Sequence, residues 1–329
     1  MRPRRIGPAL GLVLALGLAG TAIGTAPERG NGSWTRLAPL PEPRTEVSVA
    51  TDGQRVYVVG GFARETGAGR AAPRTMFAYE PATDRWMARG EIPDGVNHAG
   101  LAVLDGRLYV IGGFRGASFT PADAVHVHEI ATGAWRRAAS LPAPRGALAV
   151  TVFDGKIHAI GGTDAAGRSV PTHEVYDPAA DTWRAVAPMP TPRNHLAAAA
   201  LAGRIYAVGG RDGSDFELRV NEAYDPAADR WAAAPPMPTG RSGIAAAVLD
   251  GKLHVFGGET FGARPHTFDA AERFDPAAGR WQVLPPMPTA RHGLGAAALG
   301  GAIYVIAGGP DPGLSFSAAN ERLSPDTGR

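Results

Sequence analysis

Residues 193–231 read RNHLAAAALAGRIYAVGGRDGSDFELRVNEAYDPAADRW. Two apolar runs, Ala197–Leu201 and Arg204–Val208, flank the turn Ala202-Gly203. At four other places the same turn is Asp-Gly (Asp52-Gly53, Asp105-Gly106, Asp154-Gly155 and Asp250-Gly251), the strongest short-range hairpin signal. The second run stops at Gly209-Gly210. A third strand contains Glu222–Tyr224 and stops at Asp225-Pro226. Trp231 opens a fourth, which ends at Pro235-Pro236 because proline cannot donate to a ladder. The stretch therefore reads as one four-stranded antiparallel unit.

The unit recurs along the chain. Tryptophan occurs at 34, 86, 135, 183, 231 and 281, in steps of 52, 49, 48, 48 and 50. Gly60-Gly61, Gly112-Gly113, Gly161-Gly162, Gly209-Gly210, Gly257-Gly258 and Ala307-Gly308 repeat those steps, as do Tyr57, Tyr109, His158, Tyr206, His254 and Tyr304. So does a column of Arg44, Val96, Arg145, Arg193, Arg241 and Arg291, each after a proline-rich turn. One such unit cannot bury both of its faces, whereas neighbours stacked in a ring can.

These marks resemble the kelch repeat. They are the double glycine after an apolar strand, the Tyr-Asp-Pro turns at Tyr176 and Tyr224, the tryptophan seven residues after that tyrosine, and the arginine opening the next unit. The second unit departs from the pattern, with Val96 for arginine and His128-Glu129-Ile130 for Tyr-Asp-Pro. The resemblance covers residues 32–326. It implies an all-β, six-bladed kelch β-propeller with blades near 38–90, 91–139, 140–187, 188–235, 236–285 and 286–326. The last unit has Leu323 in the tyrosine slot and ends before a tryptophan, while an unpaired fourth strand, Trp34–Leu37, stands at the start. Residues 31–37 are therefore expected to complete the last blade beside Ala318–Ser324 and close the ring, which removes sheet edges.

Ahead of the repeats, Met1–Arg5 is basic, Ile6–Gly20 is apolar, and Thr21–Ala26 is rich in small residues. This is the layout of a secretory signal, residues 1–26, with cleavage after Ala22 or Ala26. The other reading is an uncleaved anchor, but the run is short for a span and is broken by glycines and Pro8. The propeller, 27–329, is then expected to be secreted or periplasmic, with no membrane span once the signal is gone, and monomeric.

Composition narrows the chemistry. The 329 residues contain no cysteine, which excludes thiolate nucleophiles, Cys-ligated zinc, iron–sulfur clusters and a lipid anchor on cysteine. The net charge is +2, but Arg2, Arg4 and Arg5 lie in the signal, and without them the balance is −1. The remaining basic residues are scattered, so no nucleic-acid partner is expected.

Function is expected where the repeat varies. In the first five units every length change falls in the connector between strands two and three, and insertions confined to one face mark a binding face. The longest is Phe62–Thr75, with Arg64, Glu65, Arg70 and Arg74; the next is Glu259–Ala270, with Phe261, Arg264, His266 and Phe268. On a kelch template the residue after the glycines and the pair after the arginine column face the channel mouth. From these come the candidate ligand-binding residues Glu46, Phe62, Asn97, His98, Phe114, Asn194, His195, Arg211, Glu259 and His292. Phenylalanines 62 and 114 would offer stacking faces and the others polar contacts. The arginine column has a structural reading: Glu174, Glu222, Glu272 and Glu321 recur two residues before the tyrosine slot, so pairs within blades are expected.

Three histidines from alternate blades, His98, His195 and His292, are of the type that holds zinc or copper. His292 is one position out of register, and strand alternation would turn it away. Polar pocket lining is therefore the expectation, with no metal and no cofactor assigned. Copper-radical oxidases of the galactose oxidase type also use kelch propellers, but they need a Tyr–Cys cross-link. The favoured reading is an exported binding module for a protein or glycan of the cell envelope, with the ligand on the face bearing the strand two–three loops. The alternative is a carbohydrate-active enzyme resembling the periplasmic kelch proteins that mutarotate sialic acid, a sugar mutarotase or epimerase. In that reading Glu259 with Arg211 or His195 would do mild acid–base work; otherwise no catalytic residue is identified.

Overall fold

In the computed structural model, residues 28–64 and 70–325 are described; the secretory signal expected over 1–26 and Glu65 lie outside them. The described residues form strands and no helix, and six sheets carry the repeats. In the fourth sheet, Ala197–Leu201, Arg204–Val208, Asn221–Asp225 and Arg230–Ala233 pair antiparallel in sequence order. The other blades repeat this order. The sixth is built from Gly295–Leu299, Ala302–Ile306 and Asn320–Ser324, and takes Ser33–Arg36 as its fourth strand.

Register shows why the chain start fits there. The tyrosine slot lies opposite the tryptophan in Tyr79↔Trp86, Tyr176↔Trp183, Tyr224↔Trp231 and Phe274↔Trp281, and His128↔Trp135 does the same in the departing second unit. Leu323 lies opposite Trp34, so the first tryptophan fills the sixth slot. Five of the six indoles also tie blades together: Nε1 of Trp86, Trp183, Trp231, Trp281 and Trp34 donates to Ala38, Ala139, Ala187, Pro235 and Pro285 carbonyls, at 2.7–3.0 Å.

The buried apolar residues divide into six clusters, one per pair of adjacent blades, including the pair formed by blades six and one. The innermost strands touch one another around the ring. They are alanine- and glycine-rich because the taper leaves little room: a Cβ on Gly100 or Gly295 would lie 2.1 Å from Val150 or Val49. The first glycine of the pair is equally constrained. At Gly161 φ is +65°, and a Cβ would sit 2.6 Å from the Arg193 carbonyl of the next blade.

The arginine column is structural. Arg145, Arg193, Arg241 and Arg291 are buried and pair with Glu174, Glu222, Glu272 and Glu321 at 2.5, 2.5, 2.6 and 2.8 Å. Arg44, whose blade lacks that glutamate, takes Glu42 at 2.6 Å instead. Two features have no counterpart in the sequence reading. Glu28–Arg29 adds a parallel strand outside Arg280–Val283, and short ribbons such as Glu259–Thr260 with His266–Thr267 rise from the connectors.

Candidate functional site

The two variable positions of each unit meet in pairs. Antiparallel bridges join Thr45↔Phe62, Asn97↔Phe114, Gly146↔Thr163, Asn194↔Arg211, Ser242↔Glu259 and His292↔Gly309. The next residue in each unit is left-handed: Glu46, His98, Ala147, His195, Gly243 and Gly293 have φ of 55, 51, 54, 51, 65 and 58°. Their backbones form a closed hydrogen-bonded ring. The N–H groups of His98, Ala147, His195, Gly243 and Gly293 donate to the carbonyls of Glu46, His98, Ala147, His195 and Gly243, and Val47 N–H closes on Gly293. Glycine holds this conformation freely, whereas other residues are strained by about 1–2 kcal/mol. Glu46, His98, Ala147 and His195 nevertheless occupy it, and strain of this kind clusters where side chains serve a function.

The left-handed residue also breaks the alternation of the strand. His292 was expected to turn away, yet its Nε2 lies 3.4 Å from Glu46 Oε1 and 3.5 Å from Glu259 Oε2. Glu46 Oε2 lies 3.1 Å from His98 Nε2. Arg211 bridges the rest, with Nη1 donating to Glu259 Oε1 at 3.0 Å and Nη2 to His195 Nε2 at 2.8 Å. Six of the ten candidates (Glu46, His98, His195, Arg211, Glu259 and His292) thus share one cluster. A space of about 90 Å³ beside it is bounded by Glu46, His98, His195, Gly243 and Gly293.

Burial sets the electrostatics. It pushes the Glu46 carboxyl up to about 7; His292 opposes the shift, the Glu259 charge adds to it, and Arg211 opposes it. His98 and His195 are held well below the ordinary imidazole range by burial, and then by the nearby Arg211 charge.

Other candidates serve their neighbours. Asn97 donates to the carbonyls of Gly116 and Ser118, at 2.8 and 3.3 Å, and accepts from His98 Nδ1 at 2.6 Å. Asn194 donates to Ser169 Oγ at 2.7 Å and accepts from His195 Nδ1. Phe62 is fully buried against His98 and Phe119, with Arg70 over its ring at 4.9 Å, so it offers no open stacking face. Phe114 is also buried at its bridge with Asn97, but its edge reaches a cleft of about 380 Å³ shared with Phe119, Asp164, Asn194, His195 and Arg211. Sequence reasoning passed over Phe119 and Asp164 because it weighed connector length; an aromatic in the second connector was the available signal.

A larger cavity, about 440 Å³, lies in blade two away from this cluster. Val96, Gly112, Ala124 and His126 line it, and these positions match Arg145, Gly161, Thr172 and Glu174 of blade three. The departure of the second unit from the repeat has left its arginine–glutamate space open.

The chain is a repeat propeller with a polar centre. A family model for the KLHDC2/KLHL20/DRC7 Kelch-repeats domain matches residues 31–210 and 139–309, and the chain belongs to the kelch-repeat family. It is similar to human Kelch-like protein 28, 35% identical over 92 residues, which are 27% of this chain and 16% of that protein. It is similar also to Kelch-like protein terF of Aspergillus terreus, 30% identical over 94 residues, 27% of this chain and 20% of that one. The matched segments thus span a fifth or less of these relatives. The structure of YjhT superposes with a TM-score of 0.75 at 16% identity, covering 89% of this chain and 98% of the other, which shows the shared fold.

Proposed function

We propose that this chain is an exported binding module that takes a protein or glycan ligand of the cell envelope at the mouth of the ring. One observation carries the reading. Among the described residues, the exposed large apolar side chains are Phe119, Phe261 and Leu314, at 54, 38 and 49%. All three lie in strand two–three connectors, on the side of the ring where the bridges gather the variable residues. Exposed apolar side chains gathered on one face, rimmed by polar groups, mark interaction sites. The cleft beside Phe119 has the volume of a small-ligand site and combines aromatic faces with amide, carboxylate and guanidinium groups. Guanidinium groups back the two exposed rings: Arg70 lies over Phe119 at 4.9 Å and Arg211 over Phe261 at 5.6 Å. The kelch family supports a module for macromolecular interaction, and the basic and apolar leader supports export.

A second reading, a sugar mutarotase or epimerase, is favoured by Arg211, Glu259 and His195 standing within hydrogen-bonding distance. Those groups already bond to one another and Glu259 is buried, so binding is the stronger reading. The test is a thermal-shift screen of the mature chain against N-acetylneuraminate, neutral sugars and a glycan array. A ligand from the screen should raise the melting point, with the rise lost in Phe119→Ala and Phe261→Ala. Catalysed exchange of sugar anomers, followed by NMR, would transfer the site to the enzyme reading. Ligand binding indifferent to both phenylalanines would remove this face from consideration.

A further inference from the structure

We propose that Glu46, Glu259 and His292 form a site for one divalent first-row transition-metal ion of the zinc class at the centre of the ring. His292 is fully buried, and its Nδ1 donates to the Gly309 carbonyl at 3.1 Å. That bond leaves the lone pair of the neutral ring on Nε2, which has no hydrogen-bond partner. The atom nevertheless faces two carboxylate oxygens, Glu46 Oε1 at 3.4 Å and Glu259 Oε2 at 3.5 Å. A lone pair set against two acceptors calls for a cation between them. The spacing suits one, because donors held about 2.0–2.2 Å from a common ion lie roughly 3–3.5 Å apart.

The surroundings match what metal ligands require. An imidazole that ligates through one nitrogen is normally oriented through the other by a carbonyl or carboxylate. Here Gly309 does this for His292, and the Asn97 side-chain oxygen does it for His98, whose Nε2 sits on the other oxygen of Glu46. Glu259 is fixed from behind by Arg211 on Oε1 and by Gly313 N–H at 2.9 Å on Oε2. Two carboxylates against one guanidinium leave negative charge for the ion to balance. Gly293 makes the room: a Cβ there would come within 2.6 Å of the Glu46 carboxylate. His195 is not a ligand in this arrangement, because its Nε2 accepts from Arg211.

The test uses the full mature chain stripped with a chelator and titrated with Zn²⁺ by calorimetry, and with Co²⁺ by visible absorption. We expect one ion per chain and cobalt d–d bands free of thiolate transitions. Glu46→Gln and His292→Gln should each weaken binding by at least the roughly 10–100-fold that loss of an outer-shell partner costs, while His254→Gln, outside the site, should leave it unchanged. Circular dichroism of each variant separates lost affinity from lost fold. No stoichiometric binding to the folded wild type would overturn the site and would mean that a proton on His292 satisfies the two carboxylates. Binding unaffected by both substitutions would overturn it too. Neither outcome bears on the ligand proposed for the connector face.

Discussion

Replacing Glu272 with alanine is expected to cost about 3–5 kcal/mol of stability, because it strands a buried guanidinium. Arg241 is fully buried and donates to Glu272 at 2.6 Å, to Thr239 O at 2.7 Å and to Gly257 O at 2.6 Å. Once the carboxylate is gone, the carbonyls cannot neutralise the charge, and the guanidinium is fully buried. Glu272→Gln keeps an acceptor and should cost less. Urea denaturation at neutral pH measures both. A loss below about 1 kcal/mol for the alanine variant, the range of an exposed pair, would show that the arginine escapes to solvent and that the column does not fix the blades.

Acid should destabilise this protein early, through histidines far from the ring centre. Burial first, then the Arg184 charge, holds His158 down to about 4. Burial and then His158 hold His173 down to about 3, and the two rings meet at 2.9 Å. Burial also holds His254 down to about 4. In the unfolded chain these rings take a proton near 6.5, so between 6.5 and about 4 the unfolded state binds more protons than the folded one. The stability these three rings contribute is therefore complete above pH 6.5 and is lost as the pH drops toward 4. The loss for His158 and His173 together is on the order of 5 kcal/mol. The repeat offers its own replacements: tyrosine stands in the slots of His158 and His254 in other blades, and asparagine stands at 221 and 320 where blade three has His173. His173→Asn with His158→Tyr should flatten the dependence of the unfolding midpoint on pH; an unchanged slope would contradict the burial of the pair.

The ring was legible in the sequence because it rests on spacing. Four columns with one set of steps locate every hairpin, and the missing last tryptophan points to Trp34. The arginine–glutamate pairs were legible for the same reason, since both members recur. The centre was only partly legible. Placing His292 with Glu46 and Glu259 depends on the left-handed residue that follows it, and alternation holds only for extended backbone. Phe62 and Phe114 are in the expected places but buried, because the bridges to Thr45 and Asn97 fold the connectors back over them. Glu28–Arg29 carries no apolar period, and so nothing in its sequence announced a strand.

The most direct measurement of ring closure exploits the lack of cysteine. Ser33 and Ser324 lie directly opposite each other, more than 290 residues apart, in the pairing that completes the sixth blade. Ser33→Cys with Ser324→Cys, treated with a short dimaleimide, should give a single-chain cross-link in near-quantitative yield, because opposed strand positions hold their Cβ atoms about 4.5–5.5 Å apart. Unreacted thiols, or links only between separate chains, would show that the start of the propeller does not pair with its end, and the central cluster built on that ring would lose its frame.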